Sequence, residues 1–169
     1  MTEPEPTPTP APARLLILGC SLRKRSDDMP LPAIERYDGV AYRVLQRHLR
    51  LHPADADAQQ LQVWILSAAY GLLEADTLIE WYDQRMTPTR AAELQPQVAP
   101  AALHLLSAFP PDSTDAIFVH AGAPYRHALG DTFINDPRVT YATGGMGSQL
   151  SQLKWWLAAD ADDGGVRSR

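Results

Sequence analysis

The chain has 169 residues, of which 45% are hydrophobic, and a formal net charge of −5. This length and composition predict one globular domain, and the acidic balance argues against strong nonspecific binding to duplex nucleic acid. Cys20 is the only cysteine. An intrachain disulfide and a zinc site built on several cysteines are therefore excluded.

The two ends of the chain differ in composition from its middle. Residues 1–13 are rich in proline and residues 159–169 are polar, so we expect disordered tails around a single domain at 14–158. The acidic start lacks the basic and apolar regions of a signal peptide, and no apolar run is long enough to cross a bilayer. These features predict a cytoplasmic protein with no membrane partner, and they leave the oligomeric state open.

Strand and helix patterns alternate from the first element onward. Leu15–Gly19 is a short apolar run that predicts a buried strand, and Tyr37–Leu51 predicts a helix. The face of that helix expected to be buried contains Tyr37, Val40, Ala41, Val44, Leu45 and His48. Gln62–Ser67 is the second predicted strand. A helix follows from Pro88 to about Ala108, with Thr87 as its N-cap and interruptions near Pro96 and Pro100.

The second half of the chain continues the alternation. The patterns predict a strand at Ala116–His120, a short helix at Tyr125–Leu129 and a strand at Arg138–Ala142. A glycine-rich turn, 144–148, opens a last helix that runs to Leu157. We therefore predict an α/β fold, a single three-layer domain with a mostly parallel central sheet of four or five strands.

Polar and small residues follow the predicted strands at the edge where open α/β sheets bind ligands. After the first strand, Ser21 and Lys24 offer a hydroxyl and a positive charge that suit a phosphate or carboxylate. Cys20 beside them marks the strand end and is more typical of a small buried residue than of a nucleophile. After the second strand, Ser67 and Tyr70 offer polar groups and an aromatic ring. Gly71 completes that turn, and a purely structural tight turn is the alternative.

Acid and base candidates come from two other segments. Glu80 and Asp83 flank Tyr82, and a carboxylate near a tyrosine is a reasonable general base or an acceptor for a nucleobase edge. His120 ends the third strand and could transfer protons near neutral pH. A solvated acid and a structural histidine are the alternatives.

Two further features indicate a binding site less strongly. Gly145 lies in the turn before the last helix, where backbone N–H groups could bind an anion, although the turn lacks the lysine of a P-loop. Four arginines at helical spacing could follow a nucleic-acid backbone, or could simply form a solvated helix face: Arg36, Arg43, Arg47 and Arg50. No cluster predicts a metal or an organic cofactor.

Several of these motifs together resemble a known family. The Cys-Ser-x-x-Lys strand end, the block from Ile65 to Leu73 that reads Ile-Leu-Ser-Ala-Ala-Tyr-Gly-Leu-Leu, and the Tyr82-Asp83 pair resemble a bacterial and phage family of unknown function. The pattern is also distantly similar to the YaaA peroxide-stress proteins and to uracil-DNA-glycosylase-like domains. The resemblance favours Asp83 as the catalytic acid or base. It also implies that Gly122 and Tyr125, which match a Gly-x-x-Tyr motif, bind substrate.

The sequence thus predicts a protein that handles a nucleobase, a nucleotide or nucleic acid, with cleavage or exchange at an N-glycosidic bond as the reaction. Asp83, Glu80 and His120 are the catalytic candidates. The predicted binding residues are Ser21, Lys24, Ser67, Tyr70, Gly71, Tyr82, Gly122, Tyr125 and Gly145. The alternatives are a noncatalytic DNA-binding stress protein and an enzyme that acts on a small molecule unrelated to nucleic acid.

Overall fold

A computed structural model describes residues 13–57, 59–112 and 116–159. The strands are β1 (Arg14–Gly19), β2 (Leu31–Pro32), β3 (Leu61–Ser67), β4 (Gly71–Glu74), β5 (Leu78–Ile79), β6 (Ile117–His120) and β7 (Val139–Tyr141). The helices are α1 (Ala33–Arg36), α2 (Val40–Leu51), α3 (Pro88–Ser107), α4 (Ala123–Leu129), α5 (Asp131–Ile134) and α6 (Met146–Ala158), with a 3₁₀ helix at Pro53–Ala56. Nearly all of both predicted tails lies outside the described residues.

The central sheet has five strands in the order β4-β3-β1-β6-β7. β1 pairs in parallel with both β3 and β6, and β6 pairs in parallel with β7. The predicted α/β fold with a mostly parallel sheet is therefore confirmed, while the three-layer arrangement stays a prediction. β4 was not expected: it turns back from β3 and pairs with it antiparallel. A separate pair, β2 with β5, was also unexpected.

β1 lies in the middle of the core and is buried on both of its faces. Leu15 and Ile17 belong to a cluster with residues of α3, α4 and α5, whereas Leu16 and Leu18 belong to another with residues of α2 and α6. All four leucine and isoleucine side chains are 0% exposed. Burial of each contributes about 1.5–3 kcal/mol, which explains why this strand has no polar alternation.

The predicted interruption of α3 is wrong. The helix is continuous from Pro88 to Ser107 although Pro96 and Pro100 lie inside it. Both prolines are exposed, so the carbonyl groups that lose a helical partner can bond to water. Residues on the opposite face, including Leu94 and Val98, are buried in the core and hold the helix to the sheet.

The predicted start of the helix at Tyr37–Leu51 is also wrong, whereas Leu45 and His48 of its predicted face are buried. α2 begins at Val40 after an extended Gly39, because Tyr37 ends α1 and its N–H donates to the carbonyl of Ala33. The buried residues of α2 are Tyr42, Leu45 and His48. Val40 is 51% exposed.

Arg36 does not belong to an exposed arginine stripe, contrary to the sequence prediction. Its side chain is 0% exposed. Its guanidinium donates to the carbonyls of Arg25, Asp27 and Met29 at 2.6–2.9 Å, which fixes the loop before β2. The exposed basic face is thereby reduced to the arginines of α2. Among the described residues, no helix combines the length and apolarity needed to cross a membrane.

Candidate functional site

The strand order reverses between β1 and β6. From β1 the chain passes through α2 to β3 on one side, and it later enters β6 on the other side of β1. The two connections leave a crevice outside the carboxyl ends of β1 and β6. Open α/β sheets bind ligands at such a point.

A cavity of about 420 Å³ lies in this crevice. Its volume is within the range of about 300–1,000 Å³ that is typical of small-molecule sites. The loops after β1 and β6, the first turn of α2 and residues of α4 and α6 line it. We call it the switch-point cavity, and its lining includes Cys20, Ser21, Leu22, Arg23, Asp38, Val40, Ala41, His120, Gly122, Tyr125, Met146 and Leu150.

Tyr125 connects the loop after β1 to the start of α4. Its hydroxyl donates to the carbonyl of Cys20 at 3.1 Å and lies 3.2 Å from Cys20 Sγ. Its ring packs so closely that a Cβ atom at Gly19 would lie 3.3 Å from it. Burial, together with the neighbouring Cys20, raises the pKa of Tyr125 above its ordinary value, so the hydroxyl stays protonated at neutral pH.

Ser21 connects the same loop to the start of α2. Its Oγ donates to the carbonyl of Arg23 at 2.5 Å and accepts from the N–H of Gly39 at 3.2 Å. A Cβ atom at Gly39 would lie 2.7 Å from Ser21 Cβ, so glycine is required for this close approach. Ser21 therefore shapes one wall of the switch-point cavity.

Three helices begin at the switch-point cavity: α2, α4 and α6. Their N-caps are Gly39, Gly122 and Gly145, and no side chain in the described part of the protein bonds to their first-turn N–H groups, of which α4 has one fewer because Pro124 lies in its first turn. The other long helix, α3, differs, because Thr87 Oγ1 accepts from the N–H of Arg90. Uncapped N–H groups and the positive ends of helix dipoles favour an anion.

His120 contributes a polar atom without a protein partner. It lines the switch-point cavity, and its Nε2 is buried without a hydrogen bond to any described residue. An unpaired buried polar atom costs about 1–3 kcal/mol, and a hydrogen-bond partner that reaches Nε2 would recover that cost. Burial lowers the pKa of His120, and the imidazole is therefore neutral near pH 7.

Asp38 is the acidic residue that lines this cavity, and the sequence prediction missed it. Arg43 bonds to both of its oxygens at 3.0–3.1 Å, and Arg23 lies at 3.2 Å. The hydrogen bonds from Arg43 lower the pKa of Asp38 and keep it ionised. The sequence did contain a signal for Asp38. Tyr37-Asp38 is a second Tyr-Asp pair, in addition to Tyr82-Asp83, and a glycine follows it.

A second group of polar residues surrounds Ser67, the last residue of β3. The hydroxyl of Tyr37 donates to Ser67 Oγ at 3.0 Å, and the hydroxyl of Tyr82 lies 2.6 Å from Tyr37 and 3.0 Å from Ser67. Ser67 Oγ also accepts from the N–H groups of Ala69 and Tyr70. We call Tyr37, Ser67, Tyr70, Tyr82 and Lys24 the tyrosine cluster.

Charge and aromatic contacts complete the tyrosine cluster. Lys24 Nζ lies 4.5 Å from the ring centroid of Tyr82, and Tyr70 meets the same ring edge-on at 5.5 Å. Burial lowers the pKa of Lys24, while electrostatic interactions with Cys20 and Asp83 act to raise it. Burial also raises the pKa of Tyr37 and of Tyr82, so both hydroxyls are protonated at neutral pH.

Apart from Gly71, the predicted site residues fall into three groups. Ser21, His120, Gly122 and Tyr125 line the switch-point cavity, and Gly145 precedes the lining residue Met146. Lys24, Ser67, Tyr70 and Tyr82 lie in the tyrosine cluster, which is joined to the cavity by the N–H of Ala68 donating to Cys20 Sγ. The last group is exposed and lines no part of the cavity: Glu80 and Asp83.

Gly71 has a structural role. It begins β4 with φ +78°, a conformation that other residues rarely adopt, and a Cβ there would lie 2.8 Å from Gln97 Nε2. Among the described residues, no group of three or more histidine, cysteine, aspartate or glutamate side chains is placed to hold a metal ion.

Fold and cavity together define an α/β protein with a crevice at the reversal of its strand order. The chain matches the family described as "Family of unknown function (DUF6884)" over residues 15–157, and it belongs to that family. No curated protein and no solved structure matches the chain. The family match thus covers every element that builds the cavity, but it names no reaction.

Proposed function

We propose that the protein binds a nucleotide in the switch-point cavity, with the phosphate at the starts of α2, α4 and α6. The observation that carries this proposal is that three helix N-termini without side-chain caps begin at one cavity. Backbone N–H groups at helix N-termini are common phosphate ligands. Arg23, whose side chain is 71% exposed, adds a positive charge at the rim.

The rest of the cavity suits a flat, partly apolar group such as a nucleobase. Leu22, Val40, Ala41, Met146 and Leu150 supply apolar surface. The neutral imidazole and the tyrosine hydroxyl described above supply a few polar contacts, the combination typical of small-molecule sites.

We further propose cleavage or exchange at an N-glycosidic bond as the reaction. In hydrolysis, water would add to the anomeric carbon of the sugar as the N-glycosidic bond breaks. Neutral His120 would accept a proton from that water and return it to the departing base, and ionised Asp38 would stabilise the positive charge that develops on the sugar. Asp83 and Glu80 remain candidates for a ligand that extends beyond the cavity toward Lys24. We take this reaction class from the resemblance of the Cys-Ser-x-x-Lys strand end to uracil-DNA-glycosylase-like domains.

The alternative is a noncatalytic nucleic-acid-binding stress protein, as the similarity to YaaA implies. The exposed arginines of α2 favour it, because a basic helix face can follow a phosphate backbone. Both proposals require a nucleotide unit to be recognised, and the first experiment therefore tests that requirement.

The test compares Gly145→Asp with Gly145→Asn by thermal unfolding in the presence of nucleoside monophosphates and nucleosides. A Cβ at Gly145 would meet nothing within 4 Å, and its φ of −71° and ψ of 171° suit either residue as an N-cap. Both variants should fold. They differ in charge alone, and the aspartate carboxylate would occupy and repel the phosphate position.

For the unaltered protein, a nucleotide at 100-fold its Kd should add about 2.7 kcal/mol of stability. This corresponds to a melting-temperature rise of roughly 5–10 °C for a domain of this size. Gly145→Asn should keep most of that rise and Gly145→Asp should lose most of it. No rise with any nucleotide, or equal rises in the two variants, would contradict the proposed phosphate position.

A further inference from the structure

A second, larger concavity continues from the switch-point cavity. It has a volume of about 560 Å³ and lies between α2 and α6. Val40 and Arg43 line both concavities, so the two are adjacent along the first turns of α2. We call it the α2–α6 groove. A ligand that fills the switch-point cavity could therefore extend along these two helices.

The α2–α6 groove is basic at its rim and apolar inside. Arg43 and Arg47 of α2 and Lys154 of α6 line it, and all three are exposed. Arg43 is paired with Asp38, but no described residue forms an ion pair with Arg47 or Lys154. The apolar lining consists of Val40, Val44, Leu51 and Leu157. Positive charge therefore accumulates here in a protein whose net charge is −5.

Two histidine rings line the groove, and an exposed tryptophan lies next to it. Trp155, next to Lys154, is 80% exposed, an unusual position for the largest apolar side chain. His48 and His52, which line the groove, stack on each other with centroids 4.5 Å apart. Proteins hold single-stranded nucleic acid with cations along a groove and with aromatic rings that stack on bases. Here the cations line the groove, and the exposed ring of Trp155 lies outside it, on the other side of Lys154.

We propose that the α2–α6 groove binds the backbone of a single-stranded nucleic acid, one nucleotide of which enters the switch-point cavity. This inference rests on the proposed function and specifies its substrate as a strand rather than a free nucleotide. The cavity volume accommodates one nucleotide. In a duplex, that nucleotide would first have to unpair from the opposite strand. The acidic remainder of the protein would also repel the second backbone of a duplex.

The test measures fluorescence anisotropy of a labelled 12-nucleotide oligothymidylate and compares Arg47→Glu with Arg85→Glu. Both substitutions change the net charge equally. Arg47 lines the groove, whereas Arg85 is exposed on the segment before α3 and lines neither concavity. Melting curves verify folding, and Arg47→Gln replaces Arg47→Glu if the latter is unstable. Thermal shifts with thymidine monophosphate are recorded for each variant.

We expect Arg47→Glu to weaken oligonucleotide binding about tenfold and to reduce its salt dependence, because a charged phosphate contact is lost. Arg85→Glu should weaken binding less than about twofold. Both variants should keep the thermal shift with the mononucleotide. These three results together support the groove as the path of the strand.

Other results would overturn the inference. Equal effects of the two substitutions, or an oligonucleotide bound no tighter than the mononucleotide, would contradict strand binding in the α2–α6 groove. The proposed nucleotide site in the switch-point cavity would be unaffected by either result. If the matching duplex or an acidic polyglutamate peptide binds more tightly than the single strand, the groove has that class of ligand as its occupant and the inference is wrong. Binding of neither nucleotide nor oligonucleotide by the unaltered protein would overturn both proposals.

Discussion

The switch-point cavity and the tyrosine cluster lie at neighbouring strand ends and are joined by the hydrogen bond from Ala68 to Cys20, yet their polar groups are used differently. In the tyrosine cluster, the hydroxyls of Tyr37, Ser67 and Tyr82 bond to one another within 3.0 Å. At the switch-point cavity, the Nε2 of His120 has no partner among the described residues, and three helix starts lack side-chain caps.

This difference separates a structural role from a binding role. Polar groups that satisfy one another fix the shape of a loop and offer little to a ligand. Polar groups that the fold leaves unpaired gain most when a ligand arrives. Substitutions in the tyrosine cluster should therefore change stability, and substitutions at the cavity should change binding.

The largest expected effect is on stability, from Tyr37→Ala. Tyr37 is 1% exposed, and its ring packs against Tyr42 and Tyr82. Its removal should lower the free energy of unfolding by about 3–5 kcal/mol. Tyr37→Phe keeps the ring and removes the hydroxyl, which should cost about 1–2 kcal/mol. Urea unfolding measures both values. If Tyr37→Phe has normal stability but no longer binds nucleotide, the tyrosine cluster is part of the binding site and its role is not purely structural.

An intermediate effect is expected from His120→Leu. If the ligand bonds to Nε2, nucleotide affinity should fall about tenfold, and His120→Gln, which restores a polar atom, should recover part of it. Isothermal titration calorimetry measures the affinities. Loss of stability without loss of affinity would instead make His120 a packing residue.

The same variant allows a pH test with a definite sign. Burial lowers the folded-state pKa of His120 below its ordinary value of 6.5, so below that pH the unfolded chain binds more protons than the folded one. The free energy of unfolding should therefore fall as the pH decreases through 6.5 and level off below the folded-state pKa. In His120→Leu this part of the pH dependence should disappear. Identical pH profiles for the two proteins would show that His120 does not titrate differently on folding.

The smallest effect is expected from Lys24→Ala. Lys24 Nζ lies over the ring of Tyr82 and does not line the switch-point cavity. Nucleotide binding should weaken about twofold at low salt through long-range attraction, while nucleoside binding should be unchanged. A tenfold, salt-dependent loss for nucleotides alone would extend the phosphate site into the tyrosine cluster.

Much of the fold could be predicted because its main elements carry local signals. β1 and β6 are uninterrupted apolar runs, and α6 follows a glycine-rich turn. The short strands β2, β4 and β5 escaped prediction because two to four residues contain too little periodicity. The continuity of α3 through its prolines depends on burial of the opposite face, which a local rule does not include.

The candidate site divides in the same way. Ser21, His120 and Gly122 directly follow or end strands, and parallel strands place such residues on one edge. Asp38 was missed because it precedes a helix and joins the site only when Gly39 packs against Ser21. The hydrogen bond between Ser67 and Tyr37 could not be predicted, because the two residues lie 30 positions apart in the sequence.

By itself, the sequence determined the alternation of strands and helices and the edge of the sheet where polar residues gather. Apolar periodicity and the geometry of parallel strands act over short stretches of chain, so both can be derived without coordinates. Only the tertiary structure decided which polar groups are satisfied and which stay available. Hydrogen bonds such as that from Tyr37 to Ser67, and the joint opening of α2, α4 and α6 onto one cavity, depend on contacts between residues distant in sequence.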